Sequence, residues 1–103
     1  MLQLVKLALR ITTSAFDGEL LHLIASAIRD MEIVGIIVTY STVEAGGAIT
    51  DYTVAEPLLE RAIVTYCRVN FGQPDDYDKL KSSYDEQKAQ LQYAAGFREG
   101  IDG

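Results

Sequence analysis

Between Glu56 and Gly72 the apolar positions cover most of a helical circumference: Leu58, Leu59, Ala62, Ile63, Tyr66, Cys67 and Val69 leave only Arg61, Thr65 and Arg68 as a polar stripe. Pro57 suits a first helical turn, where its missing N–H is not needed, and Gly72 followed by Pro74 supplies a stop. A helix over 57–71 that is apolar on so many sides needs neighbours on several of them. The pattern therefore predicts a buried central helix, with Leu59, Ala62, Ile63, Tyr66 and Cys67 in the core and the other segments wrapped around it.

Those segments show three different periodicities. Leu2, Leu4, Val5, Leu7, Ala8 and Leu9 are densely apolar, and their helix-forming company of Lys6 and Arg10 predicts a short helix from Leu2 to about Arg10. Thr12, Thr13 and Ser14 offer N-caps for a second helix that ends near Gly35. In it Leu20, Leu23, Ile24, Ala27, Ile28 and Met31 recur at three and four, while Glu19, His22, Ser26 and Asp30 face water. From Ile36 to Tyr52 the pattern changes to alternating β-branched and aromatic residues broken by Gly46-Gly47, which predicts an extended or hairpin arm. A connection this long inside a compact domain is usually functional, which makes the arm the first candidate contact surface. A last helix runs from Pro74 to about Tyr93, with a narrow seam of Tyr77, Leu80, Tyr84, Gln87 and Leu91 and with opposite charges paired at i,i+4 in Asp75–Lys79 and Lys81–Asp85. The expected class is all-α: a small bundle of about four helices around the central helix, carrying the 36–52 arm. One domain spans 1–95, and 96–103 is expected to be a flexible tail that frays or docks on a partner.

Composition narrows the function more than the fold. With 103 residues, 49% hydrophobic and 23% charged, the chain is an ordinary globular domain with a modest core. Nine basic residues against fifteen acidic ones give a net charge of −6, the wrong sign for gripping phosphate backbones. The apolar start is interrupted by Gln3, Lys6 and Arg10 and is too short to span a bilayer, so no membrane role is expected. One cysteine makes no internal bridge.

No catalytic constellation emerges. Glu19 and His22 lie one helical turn apart, but His22 is the only histidine and a metal site needs more ligands than it brings. Asp75, Asp76 and Asp78 lack the glycine turn and distal glutamate of a calcium loop and read as charges near a helix start. Cys67 has no histidine near it in sequence and reads as a packed thiol. Gly46-Gly47 lacks the spacing of a phosphate or dinucleotide loop and reads as a turn. The expectation is no enzyme, no cofactor and no metal. Tyr66, Tyr77 and Tyr84 fit helix faces, whereas Tyr40, Tyr52 and Tyr93 fall where an amphipathic ring would suit an interface. The candidate protein-contact residues are Tyr40, Val43, Glu44, Gly46, Gly47, Ile49 and Tyr52 in the arm, and Tyr93, Phe97 and Arg98 near the end.

Three segments taken together resemble a known family. They are Leu4 to Thr12 running into Phe16-Asp17 and Glu19-Leu20; Pro57 to Gly72; and Pro74 to Leu91, in this order and spacing. They are similar to the small head-tail connector (adaptor) proteins of tailed bacteriophages, often described as DNA-packaging proteins; the 36–52 arm is longer than that family suggests. The resemblance implies an all-helical subunit of a homo-oligomeric ring, twelvefold in the virion. The ring would dock beneath the portal protein, extend the DNA channel without specific DNA binding, and offer its far side to the next connector or tail-completion protein. It implies synthesis in the bacterial host cytoplasm and residence at the head-tail interface. Composition and pattern alone also allow a small helical regulatory or protein-binding module acting as monomer or dimer, which large closed oligomers or portal binding would rule out.

Overall fold

A computed structural model of the chain describes residues 1–72 and 74–102, with side chains described through residue 94. In chain order the elements are α1 (Leu2–Leu9), α2 (Asp17–Ile33), β1 (Tyr40–Ala45), β2 (Ala48–Val54), α3 (Pro57–Asn70) and α4 (Tyr77–Asp102). The class is therefore mixed α and β and not all-α, because β1 and β2 pair as an antiparallel two-stranded sheet. The reason is local. The β-branched run suits a pleated strand, and the two residues between the Ala45–Ala48 pair are Gly46 and Gly47, with φ of 61° and 81°. Positive φ at both central positions is what a tight type I′ hairpin turn requires. The hairpin is also shifted from the expected 36–52 arm, and its base is not an appendage: Ile36, Val38, Tyr52 and Val54 are buried in the core.

α3 is the hub, in contact with α1, α2, α4 and β2. Its start is fixed by Pro57 in the first turn and by the Glu56 carboxylate, which accepts a hydrogen bond from the Leu58 N–H at 3.1 Å. Leu59, Ala62, Ile63, Cys67 and Val69 are buried along it, whereas Tyr66 is half-buried and Leu58 is exposed. Thr65, expected on the polar stripe, is buried and satisfies its hydroxyl on the Arg61 carbonyl at 2.9 Å. Phe71 leaves the helix in extended conformation and meets Phe16 edge to face at 5.4 Å.

α2 supplies the facing stripe, with Leu20, Ile24, Ala27, Ile28 and Met31 buried. It begins at Asp17, past the expected Ser14 cap, and Asp17 is ion-paired at 2.9 Å with Lys6 of α1. α4 begins at Tyr77, so Asp75 and Asp76 stand in the preceding turn and of the two expected i,i+4 pairs only Lys81–Asp85, at 3.4 Å, is formed among the described residues. Leu80 and Tyr84 are its buried contacts with the body, and its backbone stays helical to Asp102, beyond the expected end near Tyr93. The molecule is a plate of 46 × 36 × 19 Å with a radius of gyration of 14.3 Å, somewhat above the ~13 Å of a compact chain this long.

Candidate protein-contact surfaces

The hairpin projects two strands with little behind them. Every residue of β1 is exposed, as are Ala48, Ile49 and Thr50 of β2. Within it Tyr40 and Tyr52 pack at 6.1 Å, and the Thr50 hydroxyl donates to the Val43 carbonyl at 3.1 Å. The register skips Thr50 between the Val43–Asp51 and Glu44–Ile49 pairs, which puts a bulge on β2. Bulges twist an edge away from further pairing. The hairpin end offers exposed side chains: Val43 and Ile49, 48% and 42% exposed, and the carboxylate of Glu44, the cross-strand partner of Ile49. Of the expected contact residues, Tyr40, Val43, Glu44, Gly46, Gly47 and Ile49 lie together on this projection. Tyr52 belongs instead to the core at 9% exposure. Tyr93 stands 75% exposed on α4, apart from the hairpin in sequence and in element. The side chains of Phe97 and Arg98 lie outside the described residues.

The base of the hairpin is clamped. Asp51 Oδ1 accepts from the Leu2 N–H at 2.9 Å and from its neighbour Tyr52 N–H at 2.7 Å, and lies 3.3 Å from the Met1 ammonium, which itself donates to the Tyr52 carbonyl at 2.9 Å. Burial on its own would raise the Asp51 carboxyl, but these donors and the ammonium hold it below the usual carboxylate range. A second clamp joins α2 to α4. The Asp30 carboxylate accepts from the Tyr84 hydroxyl at 2.6 Å and from Lys88 at 3.1 Å, with the Lys88 ammonium 5.2 Å above the Tyr84 ring. Burial again opposes ionisation of Asp30, and the two donors overcome it. Asp30 looks solvated in the sequence because helix periodicity reports only its own face; its partner is 54 residues away.

The second surface went unread in the sequence. An open groove of about 570 Å³ lies between α1, α3 and α4, with Leu4, Val64 and Leu80 as apolar lining and Arg61, Arg68 and Gln87 among the polar ones. The polar stripe of α3 thus does not simply face solvent. Its one signal was the pair of arginines seven residues apart on an otherwise apolar helix. Neither guanidinium has an ion-pair partner among the described residues, and the Gln87 Oε1 is buried there without a hydrogen-bond partner. Among the described residues no three His, Cys, Asp or Glu side chains cluster as metal ligands, and no helix is long and apolar enough to cross a membrane.

The model of the family described as phage connector protein matches residues 1–97. The chain belongs to that family. The match takes in α1, α2, the hairpin, α3 and α4 as far as residue 97. Searches of curated proteins and of solved structures return no match to this connector chain.

Proposed function

We propose that this phage connector protein is a structural, non-enzymatic subunit of the virion: a head-tail adaptor that closes into a ring, docks on the portal and extends the DNA channel. Its far side would receive the next connector or tail-completion protein. The observation that carries this is the family match over residues 1–97. The ring, the portal as partner and the twelvefold count come from the likeness of three sequence segments to head-tail adaptors. Two features of the subunit support an assembly role. A plate 19 Å thick gives broad faces for neighbours, and the exposed apolar side chains of the hairpin have no purpose in the isolated chain's core. The net charge of −6 fits a channel wall that DNA passes without releasing counterions; a belt of lysine and arginine lining the channel in a structure of the ring would refute that part.

The test is mass against concentration for the full chain, alone and mixed with the portal protein of its phage, by native mass spectrometry or light scattering. A closed high-order ring, or a subunit that assembles only when portal is added, is expected. A stable dimer indifferent to portal would put a regulatory module in place of the adaptor.

A further inference from the structure

The hairpin end and the α1/α3/α4 groove are complementary. One presents the exposed apolar side chains of Val43 and Ile49 and the carboxylate of Glu44, the cross-strand partner of Ile49; the other presents an apolar lining beside two guanidiniums without an ion-pair partner among the described residues. We propose that the hairpin end of one subunit, through Val43, Glu44 and Ile49, seats in the groove of a second copy of this chain, with Glu44 against Arg61 and Arg68. This rests on the homo-oligomeric assembly proposed above and names the surfaces that build it.

Three observations favour this occupant. The groove is lined by residues of α1, α3 and α4, with none from the hairpin, so its own hairpin does not fill it. Charge decides between the possible faces: the groove carries Arg61 and Arg68 against the single carboxylate of Glu60, a local excess of positive charge on a chain of net charge −6. Opposite potentials orient the encounter and fix its register. The volume of about 570 Å³ lies inside the roughly 300–1,000 Å³ range of clefts that enclose a ligand of a few side chains' size.

Knob and groove are different patches, so the contact is head-to-tail: each subunit gives one hairpin and receives one, and the chain of contacts closes into a ring when the rotation permits. The experiment is charge reversal in the full chain, read by native mass spectrometry across concentration, with portal present if assembly requires it. Glu44→Arg, and separately Arg61→Glu with Arg68→Glu, are each expected to raise the concentration for assembly by about tenfold or more. All three substitutions together are expected to recover assembly. Thermal melts of each variant keep loss of folding distinct from loss of association, since all three residues lie outside the core. Rings that form as in the wild type with Glu44→Arg, or single-side defects that the triple variant leaves unrepaired, overturn the hairpin-groove contact while the ring stands. Arginine reversals that weaken portal capture and leave ring mass unchanged overturn it too, by giving the groove to another protein. A wild-type chain that never self-associates, with or without portal, removes the ring reading itself and this contact with it.

Discussion

Cys67 is fully buried among the apolar residues of α3, and burial pushes its thiol up to about 12. The thiolate is the reactive form, so the native chain is expected to resist a thiol probe at mildly alkaline pH and to react at once in denaturant. Fast labelling of the native protein would show that α3 opens readily. Tyr84 makes a different contribution: its hydroxyl is the short donor to Asp30 across the α2–α4 contact. Tyr84→Phe is expected to lower unfolding stability by about 1–2 kcal/mol, the low end for a bond to a charged acceptor because Lys88 remains paired. Urea titration measures it, and a change below ~0.5 kcal/mol would mean that the clamp is solvent-shared and weak. Periodicity had placed Cys67 and Ile63 inside from the sequence. It misplaced Leu58 and Thr65, because the count of apolar positions around a helix does not say which gap its neighbours leave open, and the exposed side of α3 falls at Leu58.

At the scale of elements, α3 and the hairpin make opposite predictions. Ile63 is wholly buried at the hub, and Ile63→Ala is expected to cost about 2–5 kcal/mol of stability, the transfer term plus the cavity left behind. Deleting Val43 to Ile49, all exposed, is expected to leave the melting temperature nearly unchanged and to weaken assembly. A chain that no longer folds after the deletion would make the hairpin end part of the folding unit. The hairpin was legible as alternating β-branched residues around Gly46-Gly47. The mixed class was missed because that segment read as an appendage to a helical bundle. The inward face of the hairpin was not legible either: Tyr52 alternates like its neighbours, and its burial depends on α2 and α3 packing against β2. α1, α2 and α4 showed their existence in the sequence but not their ends, since the cap expected among Thr12 to Ser14 and the helix start expected at Pro74 gave way to starts at Asp17 and Tyr77.

For the molecule as a whole, two carboxylates act as clasps between parts distant in sequence, Asp30 from α2 to α4 and Asp51 from β2 to α1. Both are held below the ordinary value of 3.8 in the folded chain. The unfolded chain therefore binds protons first as pH falls, so their stabilisation is fully present above that value and is lost as pH drops through the lower folded values. Unfolding stability is expected to be flat near neutrality with respect to these two groups and to fall below pH 3.8. In Asp30→Asn that acid limb should become shallower, as read from urea midpoints across pH; an identical limb in the variant would assign the acid sensitivity to other groups. Neither clasp was visible in the sequence, because both join residues about fifty positions apart. The plate shape was equally hidden, and it sets a length. DNA rises 3.4 Å per base pair, so a subunit measuring from 19 to 46 Å along a channel axis spans roughly six to fourteen base pairs. A single ring of the proposed kind would then surround between about half a turn and little more than one full turn of the duplex, and the rest of the DNA's path from head to tail would fall to the proteins stacked above and below it.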